Sequence, residues 1–202
     1  MATDKEKIVL GSGKTYTSEF DETAGIPDDA TLETEENLLG LIQGGATLEY
    51  VPTYYKAKDD LGLVNKEIIT DEEATLKSGI MTWCGNTLEK LCSTAKVTTT
   101  GNRRVVKIGG FGKHNGKKYV IRFVHEDKVD GNIRVTIVGT NQAGFTIAFT
   151  KDKETVINAE FKAQPQDKEG TLILYEEDIP ETSTEGTEEG TENTEGTETT
   201  ES

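Results

Sequence analysis

The sequence predicts a mainly β protein: an antiparallel β-sandwich or split barrel with one short flanking α-helix. Three observations carry that expectation. Apolar residues fall on every second position through the last third of the folded region: Ile133, Val135 and Ile137, then Phe145, Ile147 and Phe149, then Ile157, Ala159, Phe161 and Ala163. That spacing turns one strand face toward a core and leaves the other wet. Breaks rich in Gly, Asn and Asp separate the runs, as between antiparallel strands. Only one segment shows helical periodicity, and it is short.

Taken along the chain, residues 1–50 look irregular, with strand-like pieces over 7–10 and 14–20 among acid-rich linkers. Gly44-Gly45 breaks the chain before a strand over 46–58, in which Leu48, Tyr50 and Tyr54 alternate with polar residues. Pro52 marks that strand as an edge, a bend or a bulge, because it donates no backbone hydrogen bond. Asp59-Asp60-Leu61-Gly62 reads as a turn or loop. Residues 64–83 are read as strands, since Gly79 and the β-branched residues oppose a long helix.

The helix spans 86–95. Asn86 is its N-cap and Glu89 the capping-box partner. Leu88, Leu91, Cys92 and Ala95 form one apolar face. A helix this short needs a sheet to pack on. Strands follow over 104–109 and 117–125, then a turn at Asp130-Gly131-Asn132, and a last strand over 171–175.

Charge divides the chain. The net charge is −15, and from Glu176 onward there are eleven acidic residues and no Lys or Arg. The preceding residues hold 26 acidic against 22 basic side chains, a net of −4. The expected domains are therefore an irregular N-terminal arm over 1–44, a β-sandwich over 45–177, and a disordered acidic Thr/Glu/Gly-rich tail over 178–202. No apolar residue follows Ile179, so burial cannot offset the entropy of ordering that tail.

The mildly acidic body, with scattered cations, opposes tight nucleic-acid binding. No stretch approaches the roughly 18 to 20 apolar residues of a membrane span. The N-terminus does not read as a secretory signal. Two cysteines, Cys84 and Cys92, fit a reduced, cytosolic setting.

Candidate chemistry fails on mechanism. Gly11-Ser12-Gly13-Lys14-Thr15 matches the end of a phosphate-binding loop, but Ile8 stands where its first glycine belongs. A strand-like segment follows instead of the helix whose N-terminus would face phosphate. Gly109-Gly110-Phe111-Gly112 lacks dinucleotide spacing and reads as a hairpin loop. Cys84 and Cys92 lie too far apart for a paired zinc motif. His114 is expected to be solvated, and His125 to make a surface ion pair beside Glu126 and Asp127. Adjacent acids such as Asp59-Asp60 and Asp71-Glu72-Glu73 read as solvated loop charges rather than a glycosidase pair. No enzyme activity, cofactor or metal is expected.

Tyr54 and Tyr55 point to opposite faces of their strand. One can join the core and the other anchor an interface, since an exposed tyrosine is a good contact residue.

Three groups of segments resemble the major tail (tail tube) proteins of long-tailed bacteriophages and prophages. They are Gly45-Ala46-Thr47-Leu48-Glu49-Tyr50 through Asp59-Asp60-Leu61-Gly62, then residues 117–125, and above all Gly144-Phe145-Thr146-Ile147-Ala148-Phe149 through Phe161-Lys162-Ala163 with Gly170-Thr171-Leu172. The likeness covers roughly residues 40–177 and rests on wording and strand order; the acidic tail lies outside it. It implies a virion structural protein, assembled in the bacterial host cytoplasm, whose protomers form hexameric rings. The rings stack into a tube that conducts DNA without binding it specifically. The implied partners are further copies of the chain and other tail proteins: tape measure, terminator and distal tail. No membrane partner is implied. Tyr54, Tyr55, Lys58, Asp59, Asp60, Leu61 and Gly62 are the expected contact residues, and the loop near 59–66 and the N-terminal region would order on assembly. The alternatives are a phage-decorating or surface β-sandwich binding module, and a single-ring terminator or baseplate adaptor.

Overall fold

The structure, a computed structural model, describes residues 7–179. β1 (Lys14–Glu19) and β2 (Leu38–Gly40) come from the N-terminal region, with the four-residue helix α1 (Asp29–Leu32) between them. β3 (Ile42–Lys58) and β4 (Asn65–Ile80) make a long hairpin. The helix α2 (Gly85–Leu91) and a ribbon of β5 (Lys96–Thr100) and β6 (Arg103–Lys107) follow. β7 (Tyr119–His125), β8 (Ile133–Asn141), β9 (Ile157–Gln164) and β10 (Ile173–Glu177) complete the fold.

All pairings are antiparallel. Eight strands join in the order β2-β1-β7-β8-β9-β4-β3, with β10 added against β8. The branch at β8 shapes the molecule. One edge of β8 pairs with β7 from Ile133 to Gly139. Its other edge pairs with β10 from Ile133 to Ile137 and with β9 from Val138 to Asn141. A strand has only two hydrogen-bonding edges, so β9 departs where β10 arrives and the sheet splits. Gly139 sits at this parting. A Cβ there would lie 1.9 Å from the Lys162 carbonyl oxygen, so only glycine admits β9.

The alternation read in the sequence fills two cores. β7 is buried on both faces. Tyr119 and Ile121 face one core with Leu76, Ile80, Ile137, Ile157 and Phe161, closed by Leu88 and Leu91 of α2. Val120 and Val124 face the other with Tyr16, Val138 and Leu32 of α1. α1 is held at its start by Asp28, whose carboxylate accepts from the Thr31 N–H at 2.8 Å. The mainly β, antiparallel, sandwich-like fold with a short flanking helix is present.

Several local expectations need correction. Residues 145–149 form no strand. Phe145 and Ile147 still pack on the core while Phe149 is exposed, so the alternation is real. What the segment lacks is a partner edge: Asn141 Oδ1 takes the Glu160 N–H of β9, and Thr155 Oγ1 bonds back to the Ala148 carbonyl. Residues 7–10 form no strand either. The helix starts earlier and ends sooner than expected. Cys84, not Asn86, is its N-cap, and Thr87 rather than Glu89 reaches back, its hydroxyl accepting from the Cys84 N–H at 3.2 Å. Cys92 is already extended, and Ala95 is buried outside the helix. A turn follows it, in which the Ala95 N–H bonds to the Cys92 carbonyl at 3.0 Å, and the Thr94 hydroxyl accepts from the Gly109 N–H.

Gly44-Gly45 does not precede the strand but lies within it, as a bulge with both glycines at positive φ (82° and 76°). The arm expected over 1–44 supplies β1 and β2 to the main sheet, and its boundary falls inside β3. His125 is buried, not on the surface. Its Nδ1 lies 2.9 Å from the Ser12 carbonyl, because its side of the strand faces inward. Residues 180–202 of the expected tail lie outside the described residues.

Candidate assembly surface

The hairpin of β3 and β4 outruns the sheet that supports it. β9 pairs with β4 only from Thr75 to Ile80. Beyond Ala74, β4 has β3 as its one neighbour among the described residues, and every residue from Asn65 to Glu73 is exposed. The pairing continues outward to Lys58 opposite Asn65, so the two strands project as an arm. Its tip is closed by Asp59: the Asp59 N–H bonds to the Val64 carbonyl at 3.1 Å, and its carboxylate accepts the Val64 N–H at 2.8 Å. The 59–66 segment, expected to order on assembly, is thus a short hydrogen-bonded turn running into β4.

Composition on the arm contradicts its exposure. Tyr54 faces Ile69 across the ladder and Tyr55 faces Ile68, so each face carries an aromatic–aliphatic pair. Tyr55 is 59% exposed and Ile69 50%, while Leu61 and Leu63 at the tip reach 81% and 80%. The expectation that one tyrosine joins the core is corrected: both are exposed, where the described residues form no second layer. Apolar side chains on both faces of a two-stranded ribbon, which is marginal alone in water, mark a surface meant to be covered. Cross-strand polar pairs hold its register: Lys56 with Glu67 at 3.2 Å, Lys77 with Glu49 at 2.8 Å, and the Tyr50 hydroxyl donating to Glu72.

Among the described residues, no strand lies beside the outer edge of β3. An uncovered edge of that length is a template for pairing with another chain. Pro52 and Lys56 on it limit unspecific pairing, the first by lacking a donor and the second by charge.

All seven expected contact residues lie on this arm. Tyr54, Tyr55 and Lys58 end β3, and Asp59, Asp60, Leu61 and Gly62 form the tip. Val51, Leu63, Val64, Ile68 and Ile69 belong to the same apolar surface and were not foreseen. Ile68-Ile69 is a strand signal, but nothing in it reveals that β9 stops short.

The nucleotide-binding resemblance near Lys14 has a structural explanation. Lys14 opens a strand and its ammonium pairs with Glu126 at 2.6 Å. Gly13 is required because a Cβ there would lie 2.1 Å from the Val124 carbonyl oxygen. Cys84 is exposed and Cys92 half-buried, both unpaired. Among the described residues, no group of three His, Cys, Asp or Glu side chains is placed to hold a metal. Among them, too, no helix is long and apolar enough to cross a membrane.

No protein-family model matches the chain, and no curated protein matches it.

Proposed function

We propose that this chain is a non-enzymatic virion structural protein whose copies assemble through the β3–β4 arm into stacked rings, forming a phage tail tube. The observation that carries the reading is the arm: apolar on both faces, unsupported by the protomer, and open along the β3 edge. Such an arm gains burial and backbone pairing only from another chain. A symmetric ring of identical copies supplies both at every protomer. The resemblance of residues 40–177 to tail tube proteins gives the assembly its identity, a hexameric conduit for DNA that also meets tape measure, terminator and distal tail proteins.

Negative-stain electron microscopy of the purified protein over a concentration series tests this. Hollow tubes or stacked rings are expected. Single rings that never stack point instead to a terminator or baseplate adaptor. A protomer that stays monomeric and binds a glycan points to a binding module.

A further inference from the structure

The end of the sheet remote from the C-terminal end of β10 carries a feature that draws on no residue of the β3–β4 arm. There a cleft of about 850 Å³ opens between β1, α2, the β5–β6 ribbon and the segment entering β7. Five lysines line it: Lys90, Lys96, Lys107, Lys113 and Lys117. Two carboxylates, Glu19 and Glu89, share the lining. Lys117 is neutralised by Glu19 at 2.7 Å. Among the described residues the other four lysines have no ion-pair partner, although the chain as a whole carries −15.

Lys90 lies deepest. Its ammonium has a single long hydrogen bond, 3.4 Å to the Thr17 carbonyl, and burial lowers its pKa. The Ser18 hydroxyl oxygen, in the same lining, is buried without a partner. Gathered cations repel one another, and a concave wall concentrates their field. A multiply charged anion would relieve that repulsion and satisfy the idle donors.

The sequence contains such an anion. Residues 180–202 hold eight glutamates and no Lys, Arg or His, spaced by Thr, Gly, Ser and Asn that add hydrogen bonds but no apolar surface. Charge is therefore the main force by which this segment can dock. The length suffices. The cleft lies at the Tyr119 end of β7, and β10 ends beside Ile133, opposite His125 at the other end. Seven residues of strand span on the order of 20 Å. A coil of some twenty residues has a mean reach of about 25 Å.

We propose that the lysine cleft is a carboxylate receptor and that its occupant is the chain's own glutamate-rich segment, residues 180–202. Occupancy weakens with salt, as exposed charge pairing must.

The test uses the full chain and a chain ending at Ile179. Zero-length carbodiimide coupling of the full chain, read by mass spectrometry, should join Lys90, Lys96, Lys107 or Lys113 to glutamates beyond residue 180. Coupled monomer places the segment in its own protomer's cleft, and coupled dimer places it in a neighbour's; either supports the proposal. Coupling confined to other lysines overturns it. A synthetic peptide of residues 180–202 should bind the shortened chain saturably at about 20 mM salt and at least tenfold more weakly at about 300 mM. The Glu→Gln peptide should not bind. Combined Lys96→Gln, Lys107→Gln and Lys113→Gln should weaken binding at least tenfold with an unchanged melting temperature, which avoids the partly buried Lys90. Equal binding of the neutral peptide, or of this triple variant, overturns the proposal. Binding of inorganic phosphate without binding of the peptide makes the cleft a small-anion site and overturns it too. Tube formation does not enter any of these readouts.

Discussion

Glu33 holds two arginines at once: its Oε1 lies 3.2 Å from Arg122 and 2.8 Å from Arg134. Asp29 of α1 also reaches both guanidiniums. Glu176 of β10 approaches Arg122 at 3.5 Å, and Asp178 holds Arg134 at 2.8 Å. Arg122 is 2% exposed and donates through Nε to Thr136 at 2.8 Å. Burial works against the charge on Arg134, but Glu33 and Asp29 outweigh it and raise its pKa. The cluster ties α1 and the end of β10 to one face of β7–β8.

Arg122→Met should therefore destabilise the protomer by about 1–3 kcal/mol, since buried Thr136 Oγ1 and Glu176 lose the guanidinium while Glu33 and Asp29 keep Arg134. Urea unfolding followed by Trp83 fluorescence checks this. A loss below about 1 kcal/mol would make the cluster a bystander to stability.

Ile68→Asp with Ile69→Asp alters both faces of the arm without touching either core. Protomer stability should fall by no more than about 2 kcal/mol, the loss of two cross-strand aromatic–aliphatic pairs, and both cores should stay folded. Assembly should be lost. Trimming residues 52–66 should likewise leave a folded protomer that cannot stack. Normal tubes from either variant, seen by electron microscopy, would remove the arm from the assembly contacts.

Deleting residues 180–202 should leave tube assembly intact, because the arm and the open edge of β3 lie wholly before them. Sedimentation of wild-type and shortened chains at matched concentration gives the comparison. Tubes from the full chain alone would refute the prediction.

Acid should destabilise the protomer through its turns. The side-chain and backbone groups of Thr31 hold the Asp28 carboxyl below its ordinary 3.8. The backbone N–H groups of Asp130 and Val129 do the same for Asp127, and Thr171 does so for Asp167. A carboxyl whose folded pKa is depressed stabilises above the unfolded value, and that contribution is lost as pH falls through the folded one. The melting temperature should hold from neutral pH to about 4 and fall below it. Asp28→Asn with Asp127→Asn should flatten the acid limb; an unchanged limb would exclude the Asp28 and Asp127 turns as its source.

The strands that need only a face were readable: Ile157, Ala159 and Phe161 alternate into the core as their spacing requires. The same rule misled over 145–149, because alternation states which side is buried and not whether a neighbouring edge exists. The helix was visible through Leu88 and Leu91, while its cap was misplaced because Cys84 is a rare N-cap. The region 59–62 was readable as a turn by its Asp and Gly. That the whole arm around it is bare on both faces was not.

By itself, the sequence determined the fold class, most strand positions and the separation of an acidic terminal segment from a near-neutral body. Periodicity, turn residues and charge are local, and each acts within a few residues. Only the tertiary structure decided that β8 shares one edge between β10 and β9, and that Arg122 and Glu33, 89 residues apart, meet in a buried cluster. It likewise decided that β9 supports β4 for only six pairs and that five lysines converge on one cleft. Those outcomes depend on which strand claims which edge, a competition among distant segments that no local pattern records.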